Sequence, residues 1–98
     1  MILEVATLNV IPGQEAAFEA AFHRAAPILA GSRGYISHEL RRCLEHPSRY
    51  ILLAQWQTLE DHIIGFRGSP AYREWKTLLH HFYDPFPTVE HYDTPLSS

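Results

Sequence analysis

The chain has 98 residues, 46% of them hydrophobic, and a formal charge of −3 at pH 7 with histidine neutral. That length suits a single domain, one that buries about two-thirds of its unfolded surface. The acidic balance, with no basic stretch longer than Arg41-Arg42, excludes a phosphate-reading surface.

No apolar run is long enough to span a bilayer. Glu4 falls within the opening "MILEVATLNV", where a signal peptide would be apolar. The single cysteine, Cys43, has no partner for an internal disulfide or a zinc-ligand pair. The expected setting is the cytoplasm, without nucleic-acid or membrane partners.

Residues 2–11, "ILEVATLNVI", read as a β-branched strand that Pro12-Gly13 breaks. Phe18, Ala21, Phe22, Ala25, Ile28 and Leu29 then recur at helical spacing, with Glu15 and Glu19 early, where the helix dipole favours anions. Pro27 is expected to bend or end the last turn, and "AGSRG" to close the helix.

"YISHELRRCLE" and "RYILLAQWQT" form two strands around the turn "HPS". Thr58 reads as an N-cap, with Asp61 as the reciprocal half of a capping box. A short helix follows, with Leu59, His62, Ile63 and Phe66 on one face. Gly68-Ser69-Pro70 interrupts it, Ser69 as the next N-cap and Pro70 at the first helical position. Tyr72, Trp75, Leu79 and Phe82 share one face of the next helix, and "FPTVEHY" is the last strand. Residues 1–93 make the domain and 94–98 a short flexible tail.

The order β-α-β-β-α-β is the split βαβ arrangement of an α+β, ferredoxin-like fold with a four-stranded antiparallel sheet. Helices on one face would leave the other open, yet the strands are apolar on both. Ile2, Ala6, Leu8 and Val10 oppose Leu3, Val5 and Ile11, and Tyr50, Leu52, Ala54 and Trp56 oppose Ile51 and Leu53. Such a face calls for a partner, most simply the sheet of an identical subunit.

The stretch "HHFYDPFPTVEHY" suggests a metal site at first sight, but helical periodicity points His80 and His81 outward near a helix C-terminus. His91 falls on a separate strand, and no pair has the inward i, i+4 spacing that zinc exploits. No metal is expected.

"AQWQTLEDHIIGFRGSPAYREW" carries more chemistry. It puts the polar ring of His62 on an apolar stripe near the end of the third strand, close to Trp56. Phe66, Tyr72 and Trp75, with Lys76 on the flank, complete an aromatic-walled pocket. A helix N-terminus would keep His62 neutral and able to accept a proton. The competing reading is a core histidine satisfied by one hydrogen bond. His38, beside Ile36 and Leu40, either lines the pocket or packs.

The strand leading into "IPGQEAAFEAAF", then "GYISHEL", then "LAQWQTLEDHIIGFRGSPAYREW", resembles the antibiotic biosynthesis monooxygenase (ABM) domain family over nearly the whole chain. Its most recognisable part is Trp56 followed six residues later by His62. The resemblance implies a dimeric α+β barrel. It also implies oxidation of quinols or anthrone-like polyaromatics by dioxygen, with no cofactor and with His62 as base. Haem-degrading members carry a first-strand asparagine and a helical histidine ligand. Here Asn9 is displaced in register and Trp75 stands near the histidine position, which disfavours that activity. A non-catalytic dimer that binds a small aromatic is the alternative to a cofactor-independent monooxygenase.

Overall fold

The computed structural model describes residues 1–98. Strand β1 (Ile2–Asn9) leads to helix α1 (Glu15–Ala30), the hairpin strands β2 (Tyr35–Arg42) and β3 (Arg49–Trp56), a π-helical segment (Asp61–Phe66), helix α2 (Pro70–Leu79), one 3₁₀ turn (His80–Phe82) and strand β4 (Thr88–Tyr92). The sheet is antiparallel in the order β2-β3-β1-β4. This is the α+β ferredoxin-like arrangement that the element order predicts.

The period of two decides what the sheet buries. Ala6 and Leu8 of β1, Val10 just after it, and Tyr50, Leu52, Ala54 and Trp56 of β3 face the helices and are buried. Phe18, Ala21, Phe22, Ala25 and Leu29 of α1 pack on them. Phe18 sits in a ring of aromatics, its centroid 4.9 Å from Tyr50 and 5.8 Å from both Phe82 and Tyr83. The other sheet face carries Leu3, Val5, Ile51 and Leu53, all half-buried.

Local expectations are met in part. Helix α1 does end where expected, at Ala30 within "AGSRG" and in the turn that holds Pro27, with Gly31 N–H closing on Pro27 O at 2.9 Å. A proline this late forfeits one helical bond, and the last turn survives. The Thr58 hydroxyl does accept the Asp61 N–H, at 3.1 Å. The Asp61 carboxylate makes no return bond to Thr58, so the cap is one-sided. Ser69 is the N-cap residue of α2, with Pro70 opening the helix as expected, but its hydroxyl turns back to Phe66 O at 2.7 Å and caps no backbone N–H.

The register of β2 slips between Tyr35 and Ser37, so Ile36 leaves the face that His38 and Leu40 share. Before β2, Gly34 has φ +83°, and a Cβ there would collide with the Asp61 side chain. This close approach seats the π-helical segment against the turn that precedes β2.

The packing around Phe18 yields a test. Phe18→Ala should destabilise the fold by about 3–5 kcal/mol, the usual scale for emptying a buried aromatic site. Urea denaturation should show this as a lower midpoint at an unchanged slope.

Candidate active site

A cavity of about 370 Å³ opens between the helix-facing side of the sheet and the elements that follow β3. Its floor is Glu4, Ala6 and Leu8 of β1 with Leu52 of β3, and Leu29 of α1 reaches it. Phe66, Tyr72 and Trp75 form an aromatic wall. His80, Tyr83, Phe86 and Pro87 close the side beneath β4. Phe66 meets Tyr72 and Trp75 edge-on, at 5.2 and 5.6 Å. Such edge contacts leave ring faces available to a flat ligand.

Glu4 and His62 are the only buried polar residues, 5% and 3% exposed, and both line this cavity. Glu4 is there because its even position in β1 turns it toward the helices with Ala6 and Leu8. Trp56 Nε1 donates to Glu4 Oε1 at 3.0 Å. His62 Nε2 lies 3.3 Å from the same oxygen. The imidazole stacks on the Trp56 indole at 5.1 Å and an interplanar angle of 25°. His62 Nδ1 faces His91 Nε2 at 2.7 Å, because β4 pairs His91 directly opposite Glu4.

The π-helical segment makes this possible. Arg67 N–H bonds His62 O at 3.1 Å, a five-residue step that widens the turn. The wide turn points His62 and Phe66 inward together, whereas Ile63 and Ile64 are 37% and 66% exposed. The expected stripe therefore loses Ile63, which an ordinary α-turn would have buried.

Burial governs the charges. It pushes the His62 imidazole down to about 3, with the Arg67 guanidinium and His91 acting in the same direction. Burial also raises Glu4, against the opposing pull of the Trp56 hydrogen bond and Arg67. Both shifts run opposite to those of a salt bridge, so near neutrality His62 is unprotonated and the pair is not an ion pair. The expectation of a neutral His62 is met by a different cause from the one assigned to it. Desolvation acts here, since the wide turn is too short for a helix dipole. His91 and His80 are lowered as well, chiefly by burial.

The structure brings His62, Phe66, Tyr72 and Trp75 together and leaves three expected residues off the cavity. Trp56 is fully buried beneath the His62 ring, so it supports the site without walling it. Lys76 is exposed and holds its ammonium 5.3 Å from the Tyr72 ring, bracing that side chain from outside. His38 sits across the sheet in a separate groove between α1 and β2, where its Nδ1 is 2.6 Å from the Tyr35 hydroxyl.

His80 is half-buried and lines the cavity, contrary to the outward placement that helical periodicity predicts. Helix α2 ends at Leu79, and the 3₁₀ turn rotates the next residue inward. His91 also meets His62, which strand spacing did not reveal. At 2.7 Å the two ring nitrogens leave no room for an ion between them, and no three His, Cys, Asp or Glu residues are grouped to hold a metal. Asn9 lies on the far sheet face, its side-chain oxygen accepting from Arg49 at 3.2 Å. Sequence reasoning missed Glu4, Arg67, Tyr83 and Phe86. For Glu4 a signal existed: it is the one charged residue among the even positions of β1.

The ferredoxin-like sheet roofed by two helices thus encloses a cavity with a carboxyl–imidazole pair under aromatic walls, the composition common to small-molecule pockets. The family model described as "Antibiotic biosynthesis monooxygenase" matches residues 1–78, and the chain belongs to that family. The uncharacterized protein YczJ of Bacillus subtilis (strain 168) is 56% identical over 92 residues, covering 94% of this chain and 97% of its own. Among solved structures, a Bordetella bronchiseptica protein assigned by family to the antibiotic biosynthesis monooxygenases is 37% identical, covers 97% of both chains and has a TM-score of 0.92. SnoaB, a cofactor-independent oxygenase from Streptomyces nogalater, shares the fold at 24% identity and a TM-score of 0.78, over 99% of this chain and 94% of its own. No helix is long and apolar enough to cross a membrane.

The site makes the stability pH-dependent in two opposed ways. His62 has a folded pKa below its unfolded value of 6.5, so stability is lost as pH falls from 6.5 toward 3. Glu4 has a folded pKa above 4.5, so its contribution is present below 4.5 and lost as pH rises through the raised value. Chemical denaturation across that range should show a flatter acid limb in His62→Gln. Glu4→Gln should remove the opposing decline above pH 4.5.

Proposed function

We propose that this chain is a cofactor-independent monooxygenase acting on a flat, acidic aromatic of the quinol or anthrone type. The observation that carries the reading is the buried Glu4–His62 pair on the floor of an aromatic-walled cavity, in a chain of this family. Removing a proton from such a substrate leaves an anion rich enough in electrons to reduce dioxygen itself. The anion gives one electron to dioxygen, and recombination of the resulting radicals forms the carbon–oxygen bond. Loss of water with the second hydrogen then leaves a carbonyl. A methylene and one dioxygen become one carbonyl and one water, so atoms and electrons balance without a further reductant.

The protein's part is to hold the ring, take the proton and exclude water. Phe66, Tyr72 and Trp75 supply the wall, and the Glu4–His62 pair handles the proton. Arg67 is the one lysine or arginine lining the cavity, and it favours the anionic form of a bound phenol or enol.

The protein works as a homodimer. The open sheet face has Leu3, Val5, Ile51 and Leu53 at its centre, with Glu39, Arg41 and Glu90 toward its edges. An apolar centre within a polar rim is the anatomy of an interface, and a second copy of the same sheet matches it. Wild-type protein should sediment as a dimer at micromolar concentration, and Leu53→Glu should give unfolded or aggregated protein. A folded wild-type monomer under those conditions removes the second copy.

An oxygen electrode with a panel of quinols and anthrones tests the activity. Turnover by the wild type is expected, with a loss of about 100-fold or more in a folded variant that carries both Glu4→Gln and His62→Gln, the scale for disabling a general base. Anaerobic binding of the panel with no aerobic oxygen uptake would instead identify a binding protein.

A further inference from the structure

We propose that Glu4, rather than His62, is the catalytic residue that receives the substrate's proton, and that His62 is a positioning residue acting through it. The proposal rests on the oxygenase reading for its substrate, and it makes a separate claim about where the proton goes.

The first ground is what His62 has left to offer. Its ring is almost wholly buried, with Nδ1 at 2.7 Å from His91 Nε2 and Nε2 at 3.3 Å from Glu4 Oε1. Both nitrogens face protein groups, so no lone pair is directed at a ligand. The second ground is what Glu4 has left. Its Oε1 takes the Trp56 indole N–H and faces His62. No protein donor reaches Oε2. Since no buried side-chain nitrogen or oxygen lacks a partner, Oε2 is the atom through which Glu4 opens to the cavity.

The direction of the donors agrees. Indole N–H can only donate, so Oε1 is an acceptor. With Glu4 ionised, His62 presents Nε2–H to Oε1, and its Nδ1 accepts from His91 Nε2–H. A proton arriving at Oε2 then requires none of these donors to move. The carboxyl is held from behind while its free oxygen does the chemistry, an arrangement that avoids reorganisation during the reaction.

The step conserves charge in the cavity. A substrate O–H or C–H bond breaks, its electron pair stays on the substrate, and the proton bonds to Glu4 Oε2. Glu4 becomes neutral as the substrate becomes an anion beside Arg67. The proton later leaves with the oxygen that is lost as water. The charged or titratable groups around Glu4 are His62 and Arg67 from the π-helical segment and the residue after it, and His91 from β4. The β3 neighbour, Trp56, does not titrate. Burial raises Glu4 and Arg67 restrains the rise, which moves the carboxyl toward the range where a base works best near neutrality.

The test uses the full chain, Glu4→Gln and His62→Gln, each checked for folding. Glutamine at position 4 keeps an acceptor for Trp56 and His62 but cannot take the proton. Glutamine at position 62 can still donate to Glu4. Oxygen uptake should fall by about 100-fold or more in Glu4→Gln. In His62→Gln it should fall by about tenfold, the value of one hydrogen bond, with the acidic limb of the kcat/KM profile displaced. The reverse order, with Glu4→Gln the more active, overturns the assignment.

Anaerobic titration with 4-nitrophenol reads the proton without turnover, because phenol and phenolate absorb differently. In weakly buffered solution at a pH where the free ligand is the phenol, wild type and His62→Gln should bind it as the phenolate with no proton released, and Glu4→Gln should bind it as the phenol or release one proton per phenolate bound. Phenolate bound to Glu4→Gln without proton release, or neutral phenol in the wild type, overturns the proposal whatever the oxygen electrode reads. Glu4-dependent ionisation with no oxygen uptake anywhere leaves Glu4 as the acceptor and removes the oxygenase reading alone.

Discussion

A carboxylate on the buried face of a sheet must find donors, because an unanswered charge in that position would cost several kcal/mol. Glu4 meets this need with one direct donor, one imidazole at 3.3 Å and a second imidazole behind it. Trp56 comes from the neighbouring strand, His62 from the segment after it, and His91 stands behind His62 on the other neighbouring strand. The end of β3, the path of the π-helical turn and the register of β4 all converge on one side chain. The cavity is the space left beside that convergence.

The widened turn at Asp61–Phe66 follows from the same demand. A regular α-turn would bury Ile63 with His62 and leave the ring at a different height over Trp56. The five-residue step to Arg67 instead stacks His62 on the indole and brings Phe66 to the cavity wall. Apolar Ile63 and Ile64 are turned outward in consequence. Segments of this kind are often found at functional sites, and here the wide turn keeps His62 and Phe66 on the cavity side while Ile63 leaves it.

The sheet divides the molecule's two tasks between its faces. Even positions of β1 and β3 build the core and the cavity floor, and odd positions form the open apolar face. Glu4 belongs to the first set, and Val5 and Leu53, which pair with each other, to the second. A change at the open face therefore acts on the cavity only through the strands themselves.

Much of the fold was legible in the chain. Alternating strand patterns, the apolar stripe of α1 and the breakers Pro12-Gly13 and Gly68-Ser69-Pro70 are local signals, set by sterics and hydrophobic period. They fixed the element order, and antiparallel pairing with right-handed crossovers then fixed the sheet. The aromatic wall of Phe66, Tyr72 and Trp75 was legible for the same reason, being carried by neighbouring turns. Cross-strand register was not legible, and it alone sets His91 opposite Glu4 and so behind His62. Nor could helical periodicity anticipate the wide turn at His62 or the 3₁₀ turn that rotates His80 inward. Local sequence specifies which face a residue occupies; only packing decides which distant side chain it meets there, because that depends on how strands from both ends of the chain are aligned.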